Sequence, residues 1–238
     1  MYKISVKLIV PPSVDPVTLI GGLARLTQVK EEFEPSSKER GMKILDFIAQ
    51  AGHTSLLEHV HFGVVIHGAS RVFLAQITRH RIASYMSQSQ QYQDHDDFPY
   101  LTPTVLQEEV NADLRVDYDW LMEQLNEFYI RAKERIGKDD ARYILPGAAR
   151  NDLFVTMNAR ELILSAFPQR LCKRNTPETV HIMKRWLKAL VDAGYGDLFK
   201  YAGPTCVIHG CCNEGRMSCK NPYKNWEELI DVDSPDNE

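Results

Sequence analysis

Apolar residues recur along the chain with two periods, and those periods predict its elements. From Met1 to Val10 polar and apolar side chains alternate as in a strand, which Pro11-Pro12 closes. Residues 16–26 and 38–50 follow a helical period, with Met42, Leu45, Ile48 and Ala49 on one face of the second. The Pro35-Ser36-Ser37 step between them offers an N-cap. Val60, Phe62, Val64 and Ile66 then alternate with His61, Gly63 and Val65, predicting a strand buried chiefly on one face and ended by Gly68. A short helix over 69–78 delivers its end to Arg79-His80-Arg81. Residues 84–103 are polar and without a period, which predicts a loop, and 108–136 read as one or two amphipathic helices. A second internal strand is predicted over 153–156 and a helix over 159–167. A further helix over 178–190 has Thr176 as its cap and Pro177 in its first turn. Strands separated by helices, without repeats, predict one α+β domain with a central sheet flanked by helices over 1–220, followed by a polar C-terminal tail over 221–238.

Composition narrows the class. The chain has 238 residues, 44% of them hydrophobic, enough to bury a full core. A formal charge of −4 gives no electrostatic reason to bind nucleic acid or an anionic membrane, so any phosphate must be held by a local cluster. The N-terminal strand lacks a signal peptide's apolar core, and no window approaches 18 uninterrupted apolar residues, so a cytoplasmic protein is expected. Five cysteines, an odd number, fit reduced thiols. Four of them, Cys206, Cys211, Cys212 and Cys219, cluster late in the chain. Their C-x4-C-C-x6-C spacing lacks paired C-x2-C knuckles, so structural thiols are favoured over zinc and no metal is expected.

The phosphate cradles of Rossmann and P-loop proteins are absent, as is a G-x-S-x-G elbow. What stands out is Arg79-His80-Arg81 followed by Ser84, Tyr85, Ser87, Gln88, Ser89, Gln90, Gln91 and Tyr92. Guanidiniums that clamp phosphate, beside hydroxyls and amides that read carbonyl and imide edges, make an anion and heterocycle site. A solvated basic turn at a helix end is the competing reading, because cations suit the C-terminal dipole.

The R-H-R-x7-S string from Arg79 to Ser89 resembles the signature of the flavin-dependent thymidylate synthases. The Gly52-His53-Thr54-Ser55-Leu56-Leu57-Glu58-His59 segment resembles their G-H-x-S/T-x-x-E-H, and Ser70-Arg71 with Gln76 fits the helix before the triplet. Ala141-Arg142-Tyr143-Ile144-Leu145-Pro146, Thr156-Met157-Asn158-Ala159-Arg160-Glu161-Leu162, and Arg170 eight residues before Glu178 resemble further family elements in the right order.

The resemblance implies a homotetramer that holds FAD where subunits meet, takes a one-carbon unit from 5,10-methylenetetrahydrofolate, uses NADPH to reduce the flavin and converts dUMP to dTMP. It assigns FAD to His53, Ser55, Arg79, His80, Arg81, Asn158, Ala159 and Arg160. It assigns dUMP to Gln76, Arg79, Ser87, Gln88, Ser89, Gln90, Gln91, Arg142 and Arg170, with Arg170 as the residue that activates the uracil. Several of these residues have a structural alternative: Arg142 as a helix cap, Arg160 in a surface pair with Glu161 or Glu178, Asn158 as a chain turn. Tyr92 reads as wall or core, and His59 and His61 as strand and packing residues.

The sequence also departs from the family pattern. Gln91 stands where Arg is usual and Ser87 where Glu or Gln is common. Asn175-Thr176 replaces Ala-Gln, and the segment from Asn158 to Arg170 is one residue longer. A neutral amide cannot replace a bidentate charged contact to phosphate. Two alternatives to dUMP methylation therefore stay open: a paralogue methylating another uracil nucleotide, and a non-catalytic flavin or nucleotide-binding protein.

Overall fold

The computed structural model describes residues 4–26, 28–30 and 32–232, so Met1 to Lys3 of the predicted first strand and residues 233–238 of the predicted tail lie outside the described residues. In chain order its principal elements are β1 (Ser5–Val10), α1 (Pro16–Leu26), α2 (Lys38–Ala51), β2 (His61–Ser70), α3 (Arg71–Ile77), β3 (Ala83–Ser87), α4 (Ala112–Ile136), α5 (Lys138–Ala141) and β4 (Arg150–Asn158). A continuous helical run follows, made of α6 (Ala159–Glu161), a π-turn over Leu162–Ala166 and α7 (Phe167–Arg170). Then come α8 (Pro177–Leu190), α9 (Gly196–Phe199) and α10 (Thr205–Ile208). The strands form one antiparallel sheet in the order β1-β2-β4-β3, as the α+β expectation requires.

The central strands β2 and β4 carry the apolar alternation that made them legible. Phe62, Val64 and Ile66 of β2, with Leu153, Val155 and Met157 of β4, are buried. Above them Phe167 and Phe199 meet edge to face with ring centroids 5.8 Å apart, and Phe62 lies 5.2 Å from Phe199. Helices α1 and α2 approach closely because Gly41 has no side chain: a Cβ there would sit 2.2 Å from the Val17 carbonyl oxygen.

Three boundaries differ from the sequence reading. Gly68 does not end β2. It takes φ +74° in a bulge, and the strand resumes to Ser70. Asp152 of β4 secures that bulge, accepting from the Gly68 amide at 2.7 Å and lying 2.7 Å from His67 Nδ1. The predicted loop contains β3, a polar edge strand whose alternation leaves no apolar stripe to read. It is pinned instead by the Tyr85 hydroxyl, within hydrogen-bond reach of the carbonyls of Ile77 (2.7 Å) and His80 (2.8 Å).

The tail boundary at 220 is corrected in the same way. Tyr223, Leu229 and Val232 are buried, the first two within the main core, so residues 221–232 belong to the domain rather than to a polar tail. Tyr223 donates to the Leu171 carbonyl at 3.0 Å, and Trp226 donates to that of Ala202 at 3.1 Å. Amphipathic pattern failed here because the apolar residues are few and stand on an irregular segment, where no period repeats.

Candidate active site

The end of α3, the start of β3 and the run from α6 to α7 converge on His80 and Arg170. The Arg170 guanidinium donates through one terminal nitrogen to Gln76 Oε1 at 2.8 Å, through the other to the Gln76 carbonyl at 2.9 Å, and through Nε to His80 Nε2 at 3.1 Å. On the other edge of the imidazole, His80 Nδ1 lies 2.9 Å from Glu161 Oε1 and 3.1 Å from Ser165 Oγ. His80 is only 4% exposed. Burial lowers its proton affinity, the Arg170 charge lowers it further, and Glu161 partly restores it through its hydrogen bond and charge. Burial also lowers that of Arg170, as does the like charge of Arg79, although a guanidinium stays protonated at any physiological pH.

A π-turn sets the phase of this helical run. Phe167 N–H donates to the Leu162 carbonyl five residues back rather than four, so one more residue fits into the turn. Pro168, which has no amide to donate, follows directly. The widened turn sets the phase at which α7 brings Arg170 to Gln76 and His80.

A second group lies at the start of the same run. Arg160 donates through Nε to Thr54 Oγ1 at 3.1 Å and pairs with Glu58, so its carboxylate partner is neither Glu161 nor Glu178. Glu178 instead accepts from the Ser70 amide at 2.7 Å and the Ser70 hydroxyl at 2.6 Å, while Ser70 Oγ caps α3 by accepting from Phe73 N–H. His53 and Ser55 are exposed beside Thr54 on the short turn Thr54–His59, and the His53 ring lies 6.2 Å from that of Phe47. An apolar cavity of about 290 Å³ opens here, lined by residues that include Thr54, Leu57, Leu164 and Tyr201. Asn158 is buried and serves as the N-cap of α6, accepting from Glu161 N–H at 2.8 Å, which is the chain-turning role weighed as its alternative. Ala159 is fully buried, with its amide donated to the Val60 carbonyl at 2.7 Å and its carbonyl accepting from Leu162 N–H, so within the subunit it holds the start of α6 against the end of the preceding turn.

Arg79 and Arg81 flank buried His80 and are themselves exposed. Arg142 is half-buried on the short turn after α5. Among the described residues no hydrogen bond or ion pair engages these three guanidiniums. Ser87 ends β3. The Gln88 side chain accepts from Asp152 N–H at 3.0 Å while its own amide donates to the Asp152 carbonyl at 3.0 Å and its carbonyl accepts from Arg71 at 3.1 Å. Ser89 Oγ accepts from the amides of Gln91 and Tyr92, closing a turn that leaves Gln90 half-buried and Gln91 exposed. Tyr92 is 80% exposed and so is not part of this subunit's core. His59 and His61 are exposed as well.

Sequence reasoning missed Ser165 and the roles of Glu161, Glu58 and Thr54. Glu58 and Thr54 stood inside a quoted motif, and the four-residue spacing of Glu161 and Ser165 on a predicted helix was the available sign that both face one neighbour.

The family described as thymidylate synthase complementing protein matches residues 13–193. A protein of Clostridium tetani named flavin-dependent thymidylate synthase is 35% identical over 206 residues, covering 80% of this chain and 82% of that one. One of the same name from Geobacter sulfurreducens is 36% identical, covering 86% and 89%. Among solved structures, thymidylate synthase X of Helicobacter pylori with FAD and dUMP superposes with a TM-score of 0.61 at 22% identity, over 83% of this chain and 100% of that one, which bears on the fold. With the family matched across most of its length and relatives this similar at both ends of the comparison, the chain belongs to the flavin-dependent thymidylate synthase family.

Proposed function

We propose that this protein is an FAD-dependent thymidylate synthase that methylates dUMP to dTMP, with 5,10-methylenetetrahydrofolate as carbon donor and NADPH as reductant. The observation that carries the reading is the Arg170 guanidinium, fixed on three sides by Gln76 and His80, beside an Arg79 that no carboxylate neutralises.

The residues present fit the cofactor. Exposed, unpaired Arg79 and Arg81 suit a pyrophosphate, and the apolar cavity beside Thr54 suits a flat ring system. Bound FAD supplies the redox chemistry of the reaction. His53, Ser55 and Arg160 line its approach, and Asn158 and His80 hold the surrounding backbone and side chains in place.

Gln76, Arg79, Ser87, Gln88, Ser89, Gln90, Gln91 and Arg142 form the nucleotide's side of the site. Gln88 acts chiefly by fixing its loop, since its side-chain carbonyl is already engaged with Asp152. A permanently charged guanidinium at the uracil edge stabilises the negative charge that develops on the ring as C5 becomes nucleophilic, without a thiol adding to C6. Arg170 fills that role because its contacts with Gln76 and His80 hold it before the substrate arrives.

The site is shared among the subunits of a homotetramer. Two surfaces support that assembly: exposed Ile82 and Met86 beside and on the edge strand β3, and Leu114, Trp120, Leu121 and Phe128 along α4. No helix among the described residues is long and apolar enough to cross a membrane. The protein acts in the cytoplasm, where its thiols stay reduced.

Incubation with dUMP, 5,10-methylenetetrahydrofolate and NADPH should yield dTMP from a yellow, flavin-containing protein. A colourless protein that takes up no added FAD would remove the reading. The exposed, uncharged Gln91 favours one alternative, a paralogue acting on another uracil nucleotide. Turnover of UMP but not dUMP would establish that instead, and flavin binding without any nucleotide turnover would point to a binding protein.

A further inference from the structure

The imidazole of His80 joins three chain segments in a fixed polarity. A guanidinium Nε can only donate, so its 3.1 Å contact makes His80 Nε2 the acceptor. The ring proton must then sit on Nδ1, where Glu161 Oε1 at 2.9 Å and Ser165 Oγ at 3.1 Å lie ready to accept it. We propose that Glu161 and Ser165 are positioning residues which, by holding the Nδ1–H form of His80, keep its Nε2 free to orient Arg170 for work on the uracil. This rests on the reading of Arg170 given above.

The geometry makes the arrangement all or nothing. A flip to the Nε2–H form, or protonation of the ring, would place two N–H groups face to face across the 3.1 Å contact and release Arg170 Nε. The groups that face His80 are Glu161 from α6, Ser165 from the π-turn and Arg170 from α7. The Tyr85 hydroxyl of β3 lies at the His80 carbonyl, and the charge of Arg79 reaches Arg170. Glu161 favours the protonated ring and Arg170 opposes it, while burial keeps the ring neutral near pH 7. Turnover should therefore fall as pH drops through the lowered titration of His80. The π-turn belongs to the arrangement because it seats Ser165 and Arg170 on the same imidazole from one helical run.

The test combines two measurements on the holoenzyme. Nitrogen-15 histidine correlation spectra of the native protein should show His80, assigned by its loss in His80→Asn, carrying a proton on Nδ1 and none on Nε2. The opposite pattern would overturn the proposal whatever the variants do. Glu161→Gln keeps an acceptor but removes the charge that favours the imidazolium, so the acid limb of its kcat/KM profile should move to lower pH while turnover at pH 8 stays within about threefold of native. Glu161→Ala with Ser165→Ala removes both acceptors and should lower kcat at pH 8 by about 10- to 100-fold with KM for dUMP changed far less and flavin retained. An unmoved acid limb in Glu161→Gln would overturn the relay while leaving Arg170's role intact. Full turnover by Arg170→Ala would instead overturn the reading of Arg170 on which the relay depends.

Discussion

The two halves of the candidate site differ in how far the fold has already committed them. Around His80, every polar edge of the imidazole and all three nitrogens of the Arg170 guanidinium have partners between 2.8 and 3.1 Å away within the subunit. At Arg79, Arg81, Arg142 and Gln91 the side chains have no partner among the described residues, and three of the four are exposed. A preorganised half suits a group that must be aimed before charge develops, because no reorganisation is then needed during the reaction. An open half suits recognition, where a ligand supplies the missing counter-charges. On the proposed function, the difference separates chemistry from binding within one set of arginines.

The sharpest way to break that distinction is Arg170→Ala. It should lower turnover by about 10³-fold, the scale of losing one preorganised donor, with the flavin absorbance unchanged. A parallel loss of flavin would mean that the two halves are not separable. A smaller effect is expected at Glu178, whose carboxylate holds the Ser70 amide and hydroxyl at the head of α3, the helix that carries Gln76. Glu178→Gln should cost about 1–3 kcal/mol of stability, read as a lower urea midpoint. On the open side, Gln91→Arg should tighten dUMP about tenfold by restoring a charged contact, measured by titration. If affinity does not change, another cation already serves the phosphate. The smallest effect belongs to Lys133, which ties the loop carboxylates of Asp94 and Asp96 to α4 on the surface. Lys133→Ala should leave the urea midpoint close to the native one, because solvent screens exposed ion pairs.

The preorganised half was also the harder to read from sequence. Arg79, Gln91 and Ser89 are short-range pattern, visible as a string. The contacts of Arg170 with Gln76 and His80 span 94 and 90 positions, and no local period encodes a pairing at that range. The central strands were legible because Phe62, Val64, Ile66 and Leu153, Val155 alternate against one core. Edge strand β3 was not, because Ser84, Tyr85 and Ser87 owe their place to β4 and to one tyrosine hydroxyl rather than to hydrophobic burial. Ala159 is a case where a motif names a residue without its packing: its small size and buried backbone suit close approach of the turn to β2.

Tyr223 donates to the carbonyl of Leu171, the residue directly after Arg170, and its ring lies beneath the ammonium groups of Lys173 (4.5 Å) and Lys184 (5.4 Å). The last stretch of the domain is thus a buttress under the helix that presents the arginine. A ribosome delivers Tyr223 after every other part of the site, so the nascent chain cannot brace its arginine until that segment has emerged. A protease that clips before Tyr223 would remove the brace from a finished enzyme.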